Sequence, residues 1–246
     1  MHSHKFWVGV SSHYWDACLA RRTPYEFGSV ECGAPTYTMS AHLKEADMTA
    51  AVVEANWNWG SLLHAWQELD LPDGWRAEIL GGEGITMTPP PPKLHNHIAE
   101  VVHRVLVKRM SEEWGVYQTL GVSVGSIDSL YIPDLAVAPR VSLTIGKDNE
   151  PVAASELNLV VEITSANNAR HDRMTKRWGY AHAPVPLYLL IDRWDDNGPA
   201  VTLFSDPAGG DYRHSERVPF GEPITLPAPF KFRLETAEFP VPGCLR

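Results

Sequence analysis

Apolar and polar positions follow clear periods from Trp59 onward. Leu62, Leu63, Trp66 and Leu69 line one face of a short helix over 59–69, and Leu71-Pro72-Asp73-Gly74 stops it. Residues 75–87 read as a hairpin turning at Gly81-Gly82-Glu83-Gly84, ended by Pro89 to Pro92 because proline cannot donate to a ladder. From His95 to Met110, Ile98, Val101, Val102, Val105 and Leu106 form one stripe, with Glu100, Arg104 and Lys108 elsewhere, which predicts an amphipathic helix. Strands are predicted at 121–124, 129–138 and 157–163, with a polar loop at 146–150. The run Leu-Asn-Leu-Val-Val-Glu-Ile is almost continuously apolar, so its strand should be central and covered on both faces. A polar helix over 169–181 leads through Pro184 and Pro186 to an apolar strand at 187–192. Residues 199–239 read as further strands at the sheet edge, turning at Gly209-Gly210-Asp211. This alternation of strands and helices predicts an α/β fold with a mixed sheet.

Residues 1–47 sustain neither period, although they carry four histidines and two cysteines. They read as an unstructured or mis-annotated extension ahead of the Met48-Thr-Ala-Ala-Val-Val-Glu start, dispensable for folding. The rival reading is a genuine extension that packs onto the domain. With 246 residues and 44% hydrophobic composition, the chain can build a real core without staples. Cys18, Cys32 and Cys244 are odd in number and lack metal-ligand spacing, which speaks against a disulfide framework or zinc ribbon and points to the reducing cytoplasm. No stretch approaches a membrane span, so no membrane partner is expected. The net charge of -9 is unfavourable for nonspecific contact with polyanions, so any nucleic-acid contact must rest on local cations.

Two carboxylates stand in otherwise apolar strands, Asp134 in Tyr-Ile-Pro-Asp-Leu-Ala-Val and Glu162 in Leu-Val-Val-Glu-Ile-Thr. An ionised carboxylate facing a dry core must meet a cation, a hydrogen-bond network or a metal. On neighbouring strands the two could converge on a hard cation such as magnesium or manganese; at strand ends each could instead be solvated. The densest cationic run, Arg170 to Arg177, opens the polar helix just beyond Glu162. It reads either as a solvated face, with Asp172 and Lys176 as an ordinary helical pair, or as a lysine that polarises water beside arginines that contact phosphates. His97, His103, His171 and His182 read as exposed polar residues or phosphate contacts. Nucleophile elbows, phosphate loops and dinucleotide fingerprints are absent from the sequence.

The ordered set of Glu78 before Gly81, Met87 before a proline-rich turn, His95 with Ile98, Pro133-Asp134, Val161-Glu162-Ile163-Thr164-Ser165, then Asp172, Lys176 and Tyr180, then Leu187 to Asp192, resembles the Uma-two family of restriction-endonuclease-like proteins. The likeness covers 58–240, and the tail around Val218 to Pro223 and Pro229-Phe230 resembles bacterial, particularly actinobacterial, members. It implies the PD-(D/E)xK nuclease fold: a mixed central sheet flanked by helices, here with extra C-terminal strands, and a divalent metal at the carboxylates. Carried over, Asp134 and Glu162 become catalytic residues and metal ligands, with Glu78 as a further ligand or a solvated hairpin residue. The superfamily lysine two residues beyond Glu162 is replaced by Thr164, so Lys176 takes its role as third catalytic residue. His95, Asp172 and Tyr180 fall at auxiliary positions, and Arg170, Arg173 and Arg177 at DNA-contacting ones.

The resemblance therefore implies a magnesium- or manganese-dependent endonuclease that hydrolyses phosphodiester bonds in DNA. Cutting both strands of a duplex is simplest with two sites, which a homodimer would provide. The alternative is a catalytically weak nuclease-like fold serving as a DNA-binding or protein-interaction module, a reading motivated by Thr164 and the charge of -9.

Overall fold

A computed structural model describes residues 58–241; the expectations for residues 1–47 lie outside them. The chain opens with α1 (Trp59–Gln67), whose Asn58 side chain accepts the Ser61 backbone N–H at 2.9 Å and caps the first turn. The hairpin β1 (Arg76–Ile79) and β2 (Ile85–Thr88) follows, then α2 (Lys93–Arg109). Next come β3 (Trp114–Tyr117), β4 (Val122–Val124), β5 (Ser129–Tyr131), β6 (Leu135–Pro139), β7 (Val152–Ala153) and β8 (Leu159–Ile163). A π-helical segment, His171–Lys176, runs directly into α3 (Arg177–His182). The chain finishes with β9 (Leu187–Asp192), β10 (Ala200–Ala208), β11 (Asp211–Pro219), β12 (Ile224–Leu226) and β13 (Phe232–Leu234).

These strands form a six-stranded sheet in the order β11-β10-β9-β8-β6-β3, a five-stranded sheet in the order β2-β1-β5-β4-β7, and the β12-β13 hairpin. In the larger sheet only β8 and β9 run parallel, joined by the π-helical segment and α3; the other neighbours are antiparallel. The architecture is thus mixed α/β, as the hydrophobic pattern predicts.

The apolar runs explain the layering. Every residue of β8 and β9 is buried, because both faces of these strands are covered. Leu135, Val137, Leu159, Val161, Leu187 and Leu189 point to one face, where Ile98, Val102 and Leu106 of α2 and Leu226 and Leu234 of the C-terminal hairpin cover them. Ala136, Ala138, Val160, Tyr188 and Leu190 point to the other, against Tyr180 and Ala181 of α3 and Tyr131 of the smaller sheet.

Three expectations require correction. The strand expected over 129–138 is two strands in two different sheets, β5 and β6, because Pro133 has no N–H for a ladder and the chain changes sheet there. The β1-β2 hairpin and β4 pair with β5 in a separate sheet, and β3 and β7 were not anticipated, since each is short and neither alternates. The polar helix is not α-helical throughout: after Ala169 and Arg170, residues His171–Lys176 form a wider π-helical segment.

Candidate active site

The switch between sheets creates the site. β6 and β8 pair antiparallel with Leu135 opposite Val161 and Ala136 opposite Val160, so continuing that register sets Asp134 opposite Glu162 at the sheet end. Asp134 is buried and fully engaged. Its Oδ2 accepts the Ile163 backbone N–H at 2.8 Å and lies 3.0 Å from His95 Nε2, while Oδ1 accepts from Arg76 at 2.7 Å. Burial alone would raise this carboxyl, but the His95 hydrogen bond and charge, joined by the Arg76 guanidinium, outweigh it and hold Asp134 well below the usual carboxylate range.

The smaller sheet delivers Glu78. Its Oε1 accepts the backbone N–H of Ile132, the residue at which the chain leaves β5, at 2.8 Å. Lys176 Nζ sits 2.9 Å from that same oxygen, 3.1 Å from Glu162 Oε1 and 3.8 Å from Asp172 Oδ1. The Tyr180 hydroxyl donates to Glu162 Oε1 at 3.5 Å. Asp172, Lys176 and Tyr180 therefore share the inner side of the helix, and all three are buried. The π turn keeps this four-residue spacing aimed inward while the segment bends onto the strand ends, in keeping with the placement of such bulges at functional sites.

The electrostatics are unbalanced. Four carboxylates (Glu78, Asp134, Glu162 and Asp172) meet two permanent cations, Arg76 and Lys176. Burial pushes Glu162 well up; Lys176 opposes this, while Asp172, Asp134 and Glu78 add to it. Asp172 is pushed up to about 7 by burial and by Asp134 and Glu78, against the pull of Lys176. Burial works against the charge of Lys176, but Glu162, Glu78 and Asp172 overcome it and raise its pKa well above the usual lysine value. Burial and the Lys176 charge push His171 down, which leaves it neutral at neutral pH, with Nε2 unpartnered 3.9 Å from Glu78 Oε2.

Surplus negative charge on hard oxygens suits a divalent cation of the magnesium class. Among the described residues no three His, Cys, Asp or Glu side chains converge as a ready-made metal site. Asp134 and Glu162, set opposite each other by the β6-β8 register, are the two carboxylates that could contribute oxygens to such an ion. Glu78, read as a further ligand or a solvated hairpin residue, is buried; its Oε1 accepts from Lys176 and from the Ile132 N–H, and its Oε2 lies 3.9 Å from His171.

With this geometry in place, the comparisons are informative. The family model described as "Putative restriction endonuclease", Uma2, matches residues 62–238. The chain belongs to the Uma2 family. A solved structure of a "putative nuclease belonging to DUF820" from Anabaena variabilis aligns with a TM-score of 0.48 at 16% identity, covering 68% of this chain and 89% of that one. No curated protein matches the chain.

Other residues at this Uma2 site divide by exposure. Of the three arginines expected to contact phosphate, only Arg170 is exposed. Arg173 is half-buried and engaged, donating to both carboxylate oxygens of Asp192 and to the Trp194 carbonyl at 2.7 Å. Arg177 lies over the Phe204 ring and 3.4 Å from Asp211. Helix positions 173 and 177 turn toward β9, β10 and β11, where acids and an aromatic ring engage them. Thr164, which stands where the superfamily pattern has lysine, is buried and ties the strand ends together. Its hydroxyl donates to Asp192 at 3.0 Å and accepts the Arg193 N–H at 3.0 Å. Arg76 escaped the sequence reading, although the two-residue period of β1 sets it on the same face as Glu78, which was a usable signal.

Proposed function

We propose that this chain is a metal-dependent endonuclease that hydrolyses phosphodiester bonds in DNA. The observation that carries the reading is the lysine caught between carboxylates at one sheet end: Lys176 Nζ is 3.1 Å from Glu162 and 2.9 Å from Glu78, with Asp134 held opposite. Such an excess of buried negative charge is costly to maintain in a merely structural core. A dense cluster of strongly perturbed groups is also what a reaction site requires.

Asp134 and Glu162 would hold magnesium or manganese. Bound there, the ion supplies an acidified water and neutralises charge on the phosphate. Arg76 and His95 fix Asp134 in one orientation, so its carboxylate stays ionised and positioned. Lys176, kept protonated by its neighbours, donates a hydrogen bond to the attacking water and offsets charge developing on the phosphate. Tyr180 steadies Glu162 from behind, and Arg170 reaches the DNA backbone from the exposed side of the helix. A homodimer would place two such sites on a duplex.

Incubation with supercoiled plasmid and magnesium or manganese tests the reading. The wild type should nick or linearise the plasmid, a chelator should stop it, and Glu162→Gln should be inactive although folded. Equal cleavage by Glu162→Gln would remove this site from the chemistry. A wild type that neither cuts nor gains melting temperature from manganese would leave the interaction-module reading standing.

A further inference from the structure

Two cations are buried among the described residues, Lys176 and Arg193. Lys176 has three carboxylates. Arg193 has none, although it is only 5% exposed. Its Nε is buried without a hydrogen-bond partner, and no side-chain hydrogen bond holds its guanidinium among the described residues. Of the neighbouring acids, Asp196 is exposed and makes no ion pair with it, and the other two are already committed. Asp192 accepts from Arg173, Thr164 and the Trp194 N–H, and Asp195 pairs with Arg217 at 3.1 Å and accepts the Asn197 N–H. Burial lowers the pKa of Arg193 and no neighbouring charge raises it again. A guanidinium stays charged even so, which leaves a desolvated cation awaiting an anion.

Its position is specific. Arg193 follows the last residue of β9, and its backbone N–H donates to Thr164 Oγ1, two residues beyond Glu162. Its guanidinium carbon lies 5.9 Å from the ring centroid of Trp194, which is 42% exposed, so a flat aromatic surface adjoins the unpaired cation. We propose that Arg193 and Trp194 form a nucleic-acid contact beside the active site, Arg193 gripping a phosphate that flanks the scissile one and Trp194 packing on an adjoining base or sugar. The inference rests on the nuclease reading and names the substrate contact for the same site.

The chemistry favours a phosphodiester chain over a lone anion. A guanidinium fork matches phosphate oxygens, and an indole face supplies stacking that a lone anion cannot use but a nucleotide can. Electrostatics require such a contact, because a cluster of four carboxylates on a chain of net charge -9 repels the substrate it must hold. Arg173 and Arg177 are already engaged by Asp192 and Asp211, so Arg193 adds a cation that no carboxylate holds.

The test measures binding of a duplex oligonucleotide to the full chain carrying Glu162→Ala, across a series of salt concentrations. Adding Arg193→Met should weaken binding on the order of 10- to 100-fold, the range of a charge-assisted hydrogen bond. It should also reduce the slope of log affinity against log salt by about 0.9, as one lost phosphate contact does. Arg193→Lys should keep most of that slope while losing affinity, and Trp194→Ala should weaken binding roughly tenfold with the slope unchanged. A merely structural arginine would not move the salt slope. If Arg193→Met does not fold, the lysine and Trp194→Ala arms decide alone. Binding that is indifferent to Arg193 and Trp194, in a protein that still binds and whose wild type cuts, overturns this inference and leaves the nuclease reading intact. A wild type that neither binds nor cuts nucleic acid overturns both.

Discussion

Lys176 is the residue on which the site turns, because its one ammonium serves Glu78, Glu162 and Asp172 together. Removing one partner of a buried pair leaves an uncompensated charge, so Lys176→Met is expected to cost about 3–5 kcal/mol at neutral pH. The loss should shrink on acidification, since Glu162 already has a raised pKa and takes up a proton. Denaturant melts at two pH values check this; equal losses at both would assign the lysine's contribution to the packing of its stem. Cleavage by the folded fraction should fall by a factor on the order of 100, the scale of losing a positioned electrostatic group. Asp172 gives a second expectation, with its sign set by a raised pKa. Unfolded it loses its proton near 3.8, whereas folded it holds it to about 7. Across that window the folded state binds the extra proton, so stability falls as pH rises. Asp172→Asn should flatten this part of the stability profile and gain most on the wild type at the alkaline end, which thermal melts between pH ~4 and ~8 would show.

Among the elements, the joint between the π turn and α3 has little slack. Gly179 lies in α3, where glycine-to-alanine exchange ordinarily stabilises a helix by about 0.5–1 kcal/mol. Here a Cβ would stand 2.5 Å from the Tyr131 hydroxyl, and the Tyr131 ring packs edge-on against Tyr180 at 5.2 Å. Overpacking of this kind costs about 1–3 kcal/mol, so the sign reverses. Gly179→Ala should lower the melting temperature and also reduce cleavage, because Tyr131 belongs to the smaller sheet that carries Glu78 and Tyr180 to the helix that carries Lys176. A variant that melts lower yet cuts as well as wild type would show that this joint carries stability without setting the site.

At the scale of the whole described fold, the site exists only where two sheets meet. β1 supplies Arg76 and Glu78, β8 supplies Glu162, the crossing segment supplies Asp134, and α2 supplies His95. A divalent ion bound there ties these elements together and should raise the melting temperature, by an amount equivalent to about 2.7 kcal/mol at a hundredfold excess over its dissociation constant. The effect should strengthen as pH rises, because ligands must be deprotonated and Glu162 holds its proton unusually long. Manganese titrations followed by thermal melting check it. An equal shift in Glu162→Ala would move the ion to another place on the protein. Among the described residues no helix is long and apolar enough to cross a membrane.

Local pattern determined a good deal. The unbroken apolar runs of β8 and β9 and the stripe of α2 are written in consecutive residues, because a strand or helix buries faces whose period the chain itself carries. The two acids within such runs, Asp134 and Glu162, were legible for the same reason: a carboxylate in an apolar strand must find a partner. The partners were not legible. Arg76 lies 58 residues from Asp134, and Glu78 lies in another sheet from Glu162, so no local period links them. The break at Pro133 could be suspected from proline's missing donor, but which sheet each half joins depends on strands elsewhere in the chain. The arginines show the converse. Arg170, Arg173 and Arg177 form one charged run in the sequence, yet packing engages two with acids and an aromatic ring and leaves one in solvent, while Arg193, which no pattern marks, meets no carboxylate. Periodicity is a property of neighbours along the chain, whereas pairing a charge is a choice among residues that only folding brings within a few ångströms.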